Sequence, residues 1–108
     1  MAKTKRAIKE IIKKYKVKLK ELGVQADRII LFGSFAKGTA QEHSDIDLIL
    51  ISDDFKKNNL RERIEVLGIA SARIMEPIEA RGYTHKEIQN VSPLNFISEV
   101  IKTGLVIS

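Results

Sequence analysis

A chain of 108 residues with 44% hydrophobic content and no cysteine is sized for one domain, 1–108, with a modest core. These figures exclude a disordered tail, a disulfide scaffold and a thiolate metal centre, and they suit a reducing cytoplasm. The formal charge of +5 is confined to the start: residues 1–20 hold eight Lys and one Arg against one Glu, a sum of +8, which leaves −3 for the rest.

That basic segment is either a surface for nucleic acid or an acidic partner, or a solvated helix face. The solvated face is the plainer reading. No aromatic residue interleaves with the basic ones as a base-stacking platform requires, so a nucleic-acid partner is not expected. No apolar run approaches the ~20 residues of a membrane helix. The opening MAKTKRAIKEIIKKYK lacks the apolar block of a signal peptide, so a cytoplasmic protein with no membrane association is expected.

Residues 4–22 read as an amphipathic helix, with Ile8, Ile11, Ile12, Tyr15, Leu19 and Leu22 at helical spacing and Gly23 as its stop. RIILF, 28–32, reads as a strand. SFAKGTA, 34–40, is turn-like, with room for one helical turn. DIDLILIS, 45–52, reads as a second, largely buried strand. SDDFKKNN reads as a polar loop. A second helix over 59–72 places Leu60, Ile64, Leu67 and Ser71 on one face, with Gly68 beside it for close approach. RIMEPIEAR, 73–81, suggests a third strand, which Pro77 breaks or restricts to a sheet edge. Thr84 and Glu87 have capping-box spacing. Ser92-Pro93 reads as the start of a last helix that runs to Lys102 and stops at Gly104, and LVIS adds a short strand. The order gives an α/β (α+β) domain with a small sheet and helices around it.

Two aspartates open the most apolar strand, although Asp is disfavoured there. Residues two apart on a strand share a face, so Asp45 and Asp47 present paired carboxylates. Such a pair repels unless a proton or a cation sits between them, and hard oxygen donors suit magnesium with substrate phosphates. Gly33-Ser34 sits between a strand and a turn, where backbone N–H groups and the Ser34 hydroxyl suit a phosphate. Lys37 continues the same loop as a candidate for neutralising phosphate charge. A phosphate cradle beside paired carboxylates is the equipment of metal-assisted phosphoryl or nucleotidyl transfer.

The stretch GSFAKGTAQEHSDID, 33–47, resembles the signature of the DNA polymerase β nucleotidyltransferase superfamily. That signature is Gly-Ser, ten residues, then Asp-any-Asp, and Phe35 to Ser44 is ten residues. RIILFGSFAKG, DIDLILIS and IEARGYTHKEI are similar to the small minimal nucleotidyltransferases, and the likeness covers most of 25–108. The four fixed positions arise by chance in roughly one chain in a thousand.

The resemblance implies a polymerase β-like fold with a small mixed sheet. It implies ATP as substrate, two Mg2+ ions on Asp45 and Asp47, and a third carboxylate on an adjacent strand. Glu79 in IEARGYT is the best match for that third group, with Glu76 as the competitor. It further implies a small helical HEPN-type toxin as partner. The chain is then the antitoxin of a type VII toxin–antitoxin module, transferring AMP to a toxin tyrosine. The alternative is a catalytically idle module that binds a partner or a nucleotide. Oligomerisation is compatible with either reading. His43 and His85 are expected on the surface, and Asp53 and Asp54 are expected in a solvated turn.

Overall fold

The computed structural model describes residues 4–41 and 44–107. His43 lies outside them. The first helix, α1 (Lys5–Glu21), starts where the Thr4 hydroxyl accepts a hydrogen bond from the Ala7 N–H, and its buried face is Ile8, Ile11, Ile12, Tyr15 and Leu19. Strand β1 (Arg28–Phe32) runs directly into the short helix α2 (Gly33–Lys37). Strand β2 (Ile46–Ile51) is followed by a 3₁₀ turn (Asp53–Lys57) and helix α3 (Leu60–Ile74). Strand β3 (Ile78–Tyr83), helices α4 (His85–Gln89) and α5 (Phe96–Thr103), and strand β4 (Leu105–Val106) complete the order.

The four strands form one mixed sheet in the order β3-β2-β1-β4. β1 pairs antiparallel with β2 and β4, and β2 pairs parallel with β3. Strand alternation divides the side chains between two faces. On one face Ile46, Leu48 and Leu50 of β2 and Ile29 and Leu31 of β1 pack with α1 and with Leu67 and Ala70 of α3. On the other, Ile30, Ile49 and Ile51 pack with Ile97 and Val100 of α5, flanked by Phe32, Tyr83 and Ile88. The second cluster is smaller, so α5 covers this face only in part. The leading end of β2, where Asp47 sits, lies on the side that the helices leave accessible.

Several expected elements shift, each for a physical reason. The polar segment after β2 is a 3₁₀ turn whose Phe55 is fully buried. Gly82 makes room for it, since a Cβ there would come within 2.5 Å of the Phe55 ring. The expected face of α3 is wrong in part: Leu67 is buried, but Leu60 is 72% and Ile64 61% exposed, and Ala70 takes the inner position. The helix is rotated so that Arg63 points inward. Gly68 is exposed, and a Cβ there would meet nothing within 4 Å, so no neighbour approaches it closely. β3 starts at Ile78, later than expected, because α3 continues to Ile74 and Met75 then turns the chain with φ 55°. Pro77 precedes the strand, and β3 is a sheet edge. The last helix starts at Phe96, not at Ser92-Pro93. Asn95 caps it by accepting from the Ile97 N–H at 2.8 Å, because it stands nearer the apolar run than Ser92 does.

Two polar anchors hold this arrangement together. The buried Tyr15 hydroxyl donates to the Leu67 carbonyl at 2.9 Å, tying α1 to α3, and burial pushes its ionisation well above the usual phenol range. Arg63 donates to Glu87 at 2.7 Å, to the Phe55 carbonyl at 3.0 Å, to the Asn58 carbonyl at 3.2 Å and to the Gly82 carbonyl at 3.3 Å. Its guanidinium also lies 5.6 Å from the Phe55 ring centroid. One side chain thus joins the 3₁₀ turn, α3, β3 and α4. Glu87 closes the expected capping box with Thr84, so it serves both the helix cap and Arg63.

The hydrogen bond from Arg63 holds the Glu87 carboxyl below its usual range, helped by the Thr84 N–H and opposed by partial burial. A carboxylate whose ionisation is eased by folding stabilises the fold above its unfolded pKa, and that stabilisation is lost as pH falls through the lower folded value. Glu87→Gln is therefore expected to lower Tm at pH 7. The gap to the unaltered protein should close as pH drops below the ordinary carboxylate range. Thermal melts of both proteins across pH 3–7 check this, and a gap that stays constant with pH would contradict it.

Candidate active site

β2 is the centre of the site because it carries an acidic residue between two paired strands. Asp47 is the register partner of Phe32 on β1 and of Glu79 on β3. Partners in register share a face, so Phe32, Asp47 and Glu79 form a row across the sheet. Arg81 lies two residues beyond Glu79 on the same face, opposite Ile49. Asp45 stands exposed just before β2 and acts electrostatically on Asp47. Ser44, just before it, is tied to Gln41: the Ser44 N–H donates to the Gln41 carbonyl at 3.0 Å, and the Ser44 hydroxyl accepts from the Gln41 N–H at 2.8 Å.

Gly33 completes the other side. Its φ is 72°, a conformation that side chains rarely adopt, and a Cβ there would run into the Asp47 carboxylate. Glycine is thus required twice at this position, by its backbone angle and by its neighbour. It opens α2, whose first turn has no side-chain cap; the residue before it is Phe32. Thr4, Asn59, Thr84 and Asn95 supply side-chain caps to α1, α3, α4 and α5. The first N–H groups of a helix have no intrahelical acceptor. Ser34, half-buried, follows Gly33 in that turn.

The charges here are held against their preference. The Asp47 carboxyl is raised above its usual range, first by burial and then by the negative charges of Glu79 and Asp45, with Arg81 opposing. Among the described residues, the charges acting on Asp47 are two carboxylates and one cation, so the balance at the row is negative. Among the described residues no three His, Cys, Asp or Glu side chains converge to hold an ion unaided. Magnesium is generally held by one or two carboxylates with substrate phosphates and water completing the shell. An oxygen-only, charge-excess row beside an uncapped helix start fits that kind of binding.

The residues singled out in the sequence do not all gather in one place. Gly33, Asp45, Asp47 and Glu79 come together, and Ser34 adjoins them. Glu76 lies in the turn between α3 and β3, where its carbonyl accepts from the Ser71 hydroxyl at 2.7 Å, while Glu79 is in register with Asp47. Lys37 is exposed at the far end of α2 and, with Lys5, Ile8, Leu31 and Leu105, lines a cavity of about 400 Å³ on the side that α1 covers. His85 is exposed, as expected, with its ring 2.9 Å from Asp27. Asp54 does more than solvate its turn, since it accepts from the Gln25 N–H at 2.8 Å. Sequence reasoning missed Arg81 and Phe96. Strand alternation from Glu79 points to Arg81; no local pattern points to Phe96.

Comparison with known proteins places the chain in a family. The family model described as a nucleotidyltransferase domain matches residues 7–95. Two Methanocaldococcus jannaschii proteins, named as candidate protein adenylyltransferases, are each 38% identical to the chain. One matches over 63 residues, 57% of this chain and 62% of its own length; the other over 65 residues, 60% and 64%. The chain therefore spans less than two thirds of these curated relatives. A crystal structure described as a toxin–antitoxin with AMP-PNP superposes with a TM-score of 0.60 at 20% identity, covering 87% of this chain and 70% of that one. At that identity the likeness speaks for the fold.

Because ionised Asp47 is a cost to the folded state, the cost appears as pH rises above the ordinary carboxylate range. Asp47→Asn is expected to raise Tm at neutral pH in the absence of metal and nucleotide. Gly33→Ala is expected to lower it, since the new Cβ meets Asp47 and the backbone angle is unfavourable. Differential scanning calorimetry of the two variants checks both signs. A destabilised Asp47→Asn protein would contradict the electrostatic account.

Proposed function

We propose that this chain, which belongs to the nucleotidyltransferase domain family, transfers AMP from ATP to a hydroxyl of a partner protein. The observation that carries the reading is the row Asp47–Glu79, with Asp45 beside it, facing Gly33 at an uncapped helix start. In this reading the triphosphate lies on the first turn of α2, where backbone N–H groups and the Ser34 hydroxyl donate to phosphate oxygens. Lys37, exposed on the last turn of α2, lines the cavity on the α1 side and makes no phosphate contact in this reading.

Asp45, Asp47 and Glu79 are the groups that would hold two magnesium ions. Bound there, the ions supply charge neutralisation for the triphosphate and stabilise the attacking and leaving oxygens. The acceptor hydroxyl forms a bond to the α-phosphorus, the α–β phosphoanhydride bond breaks, and pyrophosphate leaves. The hydroxyl proton passes to the carboxylate of Glu79, which lies on the open edge strand β3. Glu79 is assigned this place ahead of Glu76 because it is the one in register with Asp47.

The acceptor is proposed to be a tyrosine of a small helical HEPN-type toxin, with this chain as the antitoxin. The relatives named for protein adenylylation support a protein acceptor and the toxin–antitoxin neighbour a toxin partner; the HEPN type and the tyrosine rest on the resemblance of the sequence motifs. The test is the intact mass of a co-expressed HEPN-type partner after incubation with ATP and magnesium. Mass gains in whole AMP units are expected, and Asp45→Ala/Asp47→Ala should abolish them while the circular dichroism spectrum is kept. A stable complex with no mass gain would overturn the transfer reading in favour of an idle binding module. Glu79→Gln is expected to lower the rate at least about a hundredfold, the scale of a lost acid–base group. Glu76→Gln should leave it within a few-fold; the opposite ranking would move the third carboxylate to Glu76.

A further inference from the structure

Phe96 stands at the first position of α5 with 55% of its surface exposed, an unusual setting for a large aromatic in so small a core. It touches both flanks of the carboxylate row. Its ring meets Phe32 edge-on, with centroids 6.0 Å apart and planes at 73°. Phe32 is the register partner of Asp47. The Arg81 guanidinium lies 5.7 Å from the Phe96 centroid. Arg81 is two residues from Glu79 on the same strand face and is the cation that Asp47 senses. Phe96 is thereby located beside the acidic row by two independent contacts, from β1 and from β3.

The edge contact with Phe32 fixes the plane of the ring, and the guanidinium takes up part of one face. The surface still exposed is flat, apolar and oriented, which suits a second planar ring. We propose that Phe96, braced by Phe32 and Arg81, is the platform on which the base of the bound nucleoside triphosphate stacks. This rests on the nucleotidyltransferase reading and adds to it the seat of the base. The sequence held no hint of such a platform, because Arg81 and Phe96 are fifteen residues apart and only the fold brings them together. Stacking is tolerant of base identity, since every base presents a π-face. The platform therefore contributes affinity for purine nucleotides without choosing among them.

The test compares binding of ATP, GTP and inorganic tripolyphosphate, each with magnesium, by isothermal titration to the full chain. The variants are Phe96→Ala, Phe96→Leu and Phe96→Tyr, with Tm confirming that each is folded. Phe96→Leu keeps apolar bulk against Phe32 and guards against an unfolded Phe96→Ala. Loss of one stacked base is expected to weaken ATP about tenfold in the Ala and Leu variants. GTP should weaken by a similar factor, tripolyphosphate should be unchanged, and the Tyr variant should bind as the unaltered protein does. Unchanged ATP affinity in both the Ala and Leu variants overturns the proposal. So does an equal loss for tripolyphosphate, which would make Phe96 a brace for Arg81 at the phosphates. If ATP affinity holds and only the KM of the acceptor protein rises, the ring serves the acceptor and the proposal also falls. An unaltered protein that binds neither ATP nor tripolyphosphate would overturn the nucleotide reading of the whole site, and the platform with it.

Discussion

Asp47 and Gly33 press against each other where β1 hands over to α2, and the rest of the site depends on that contact. A side chain at 33 would displace the carboxylate; a different turn would move the helix start away from it. The antiparallel pairing of β1 with β2 places Phe32 opposite Asp47, so the residue after Phe32 has to turn immediately. Glycine alone accepts the required φ of 72° at that point without steric cost. The outcome is an acidic group held beside the start of an uncapped helix.

The sheet explains why such a site is tolerated. One face is sealed by α1 and α3, and its cluster holds most of the buried apolar residues. The other is only partly covered, by α5 and its neighbours, so the carboxylates remain close to solvent. The larger apolar cluster lies on the first face, where Tyr15 ties α1 to α3 and Arg63 ties α3 to β3, and the carboxylate row lies on the second. The raised Asp47 carboxyl reflects first its burial and then its acidic neighbours on this face. An uncapped α2 fits the same division: the capped helices serve the fold, and the bare one faces the carboxylates.

Much of the fold was legible because its signals are local. The spacing of isoleucines in α1, the apolar runs of β1 and β2 and the Thr84–Glu87 capping box depend only on near neighbours. The errors came where long-range contacts override local pattern. Phe55 looked like part of a polar loop, but Gly82, far along the chain, leaves a hole that it fills. The α3 face departs from its apolar spacing because Arg63, polar by type, goes inward to serve four acceptors, while Leu60 and Ile64 stay outside. Asn95 displaced Ser92 as the helix cap because an equally good cap stood closer to the apolar stretch.

At the site, the Gly-Ser and Asp-any-Asp residues were legible as a spaced motif, and the antiparallel pairing of β1 with β2 brings Gly33 and Asp47 together. That Glu79 and not Glu76 stands in register with Asp47 follows from the parallel pairing of β2 with β3, which no local pattern encodes. Strand alternation points to Arg81, but only the fold brings Phe96 beside it. Lys37 shows the reverse case: it is adjacent in sequence, yet one helical turn carries it to the rim of a different cavity.

The central claim is that the row of carboxylates facing Gly33 is a metal–nucleotide site. Titration of the non-hydrolysable analogue AMP-PNP into the full chain, with and without magnesium, tests it most directly. The account expects saturable binding that requires magnesium and disappears in Asp45→Ala/Asp47→Ala while the melting curve stays cooperative. Binding of equal strength in that variant, or binding indifferent to magnesium, would contradict it.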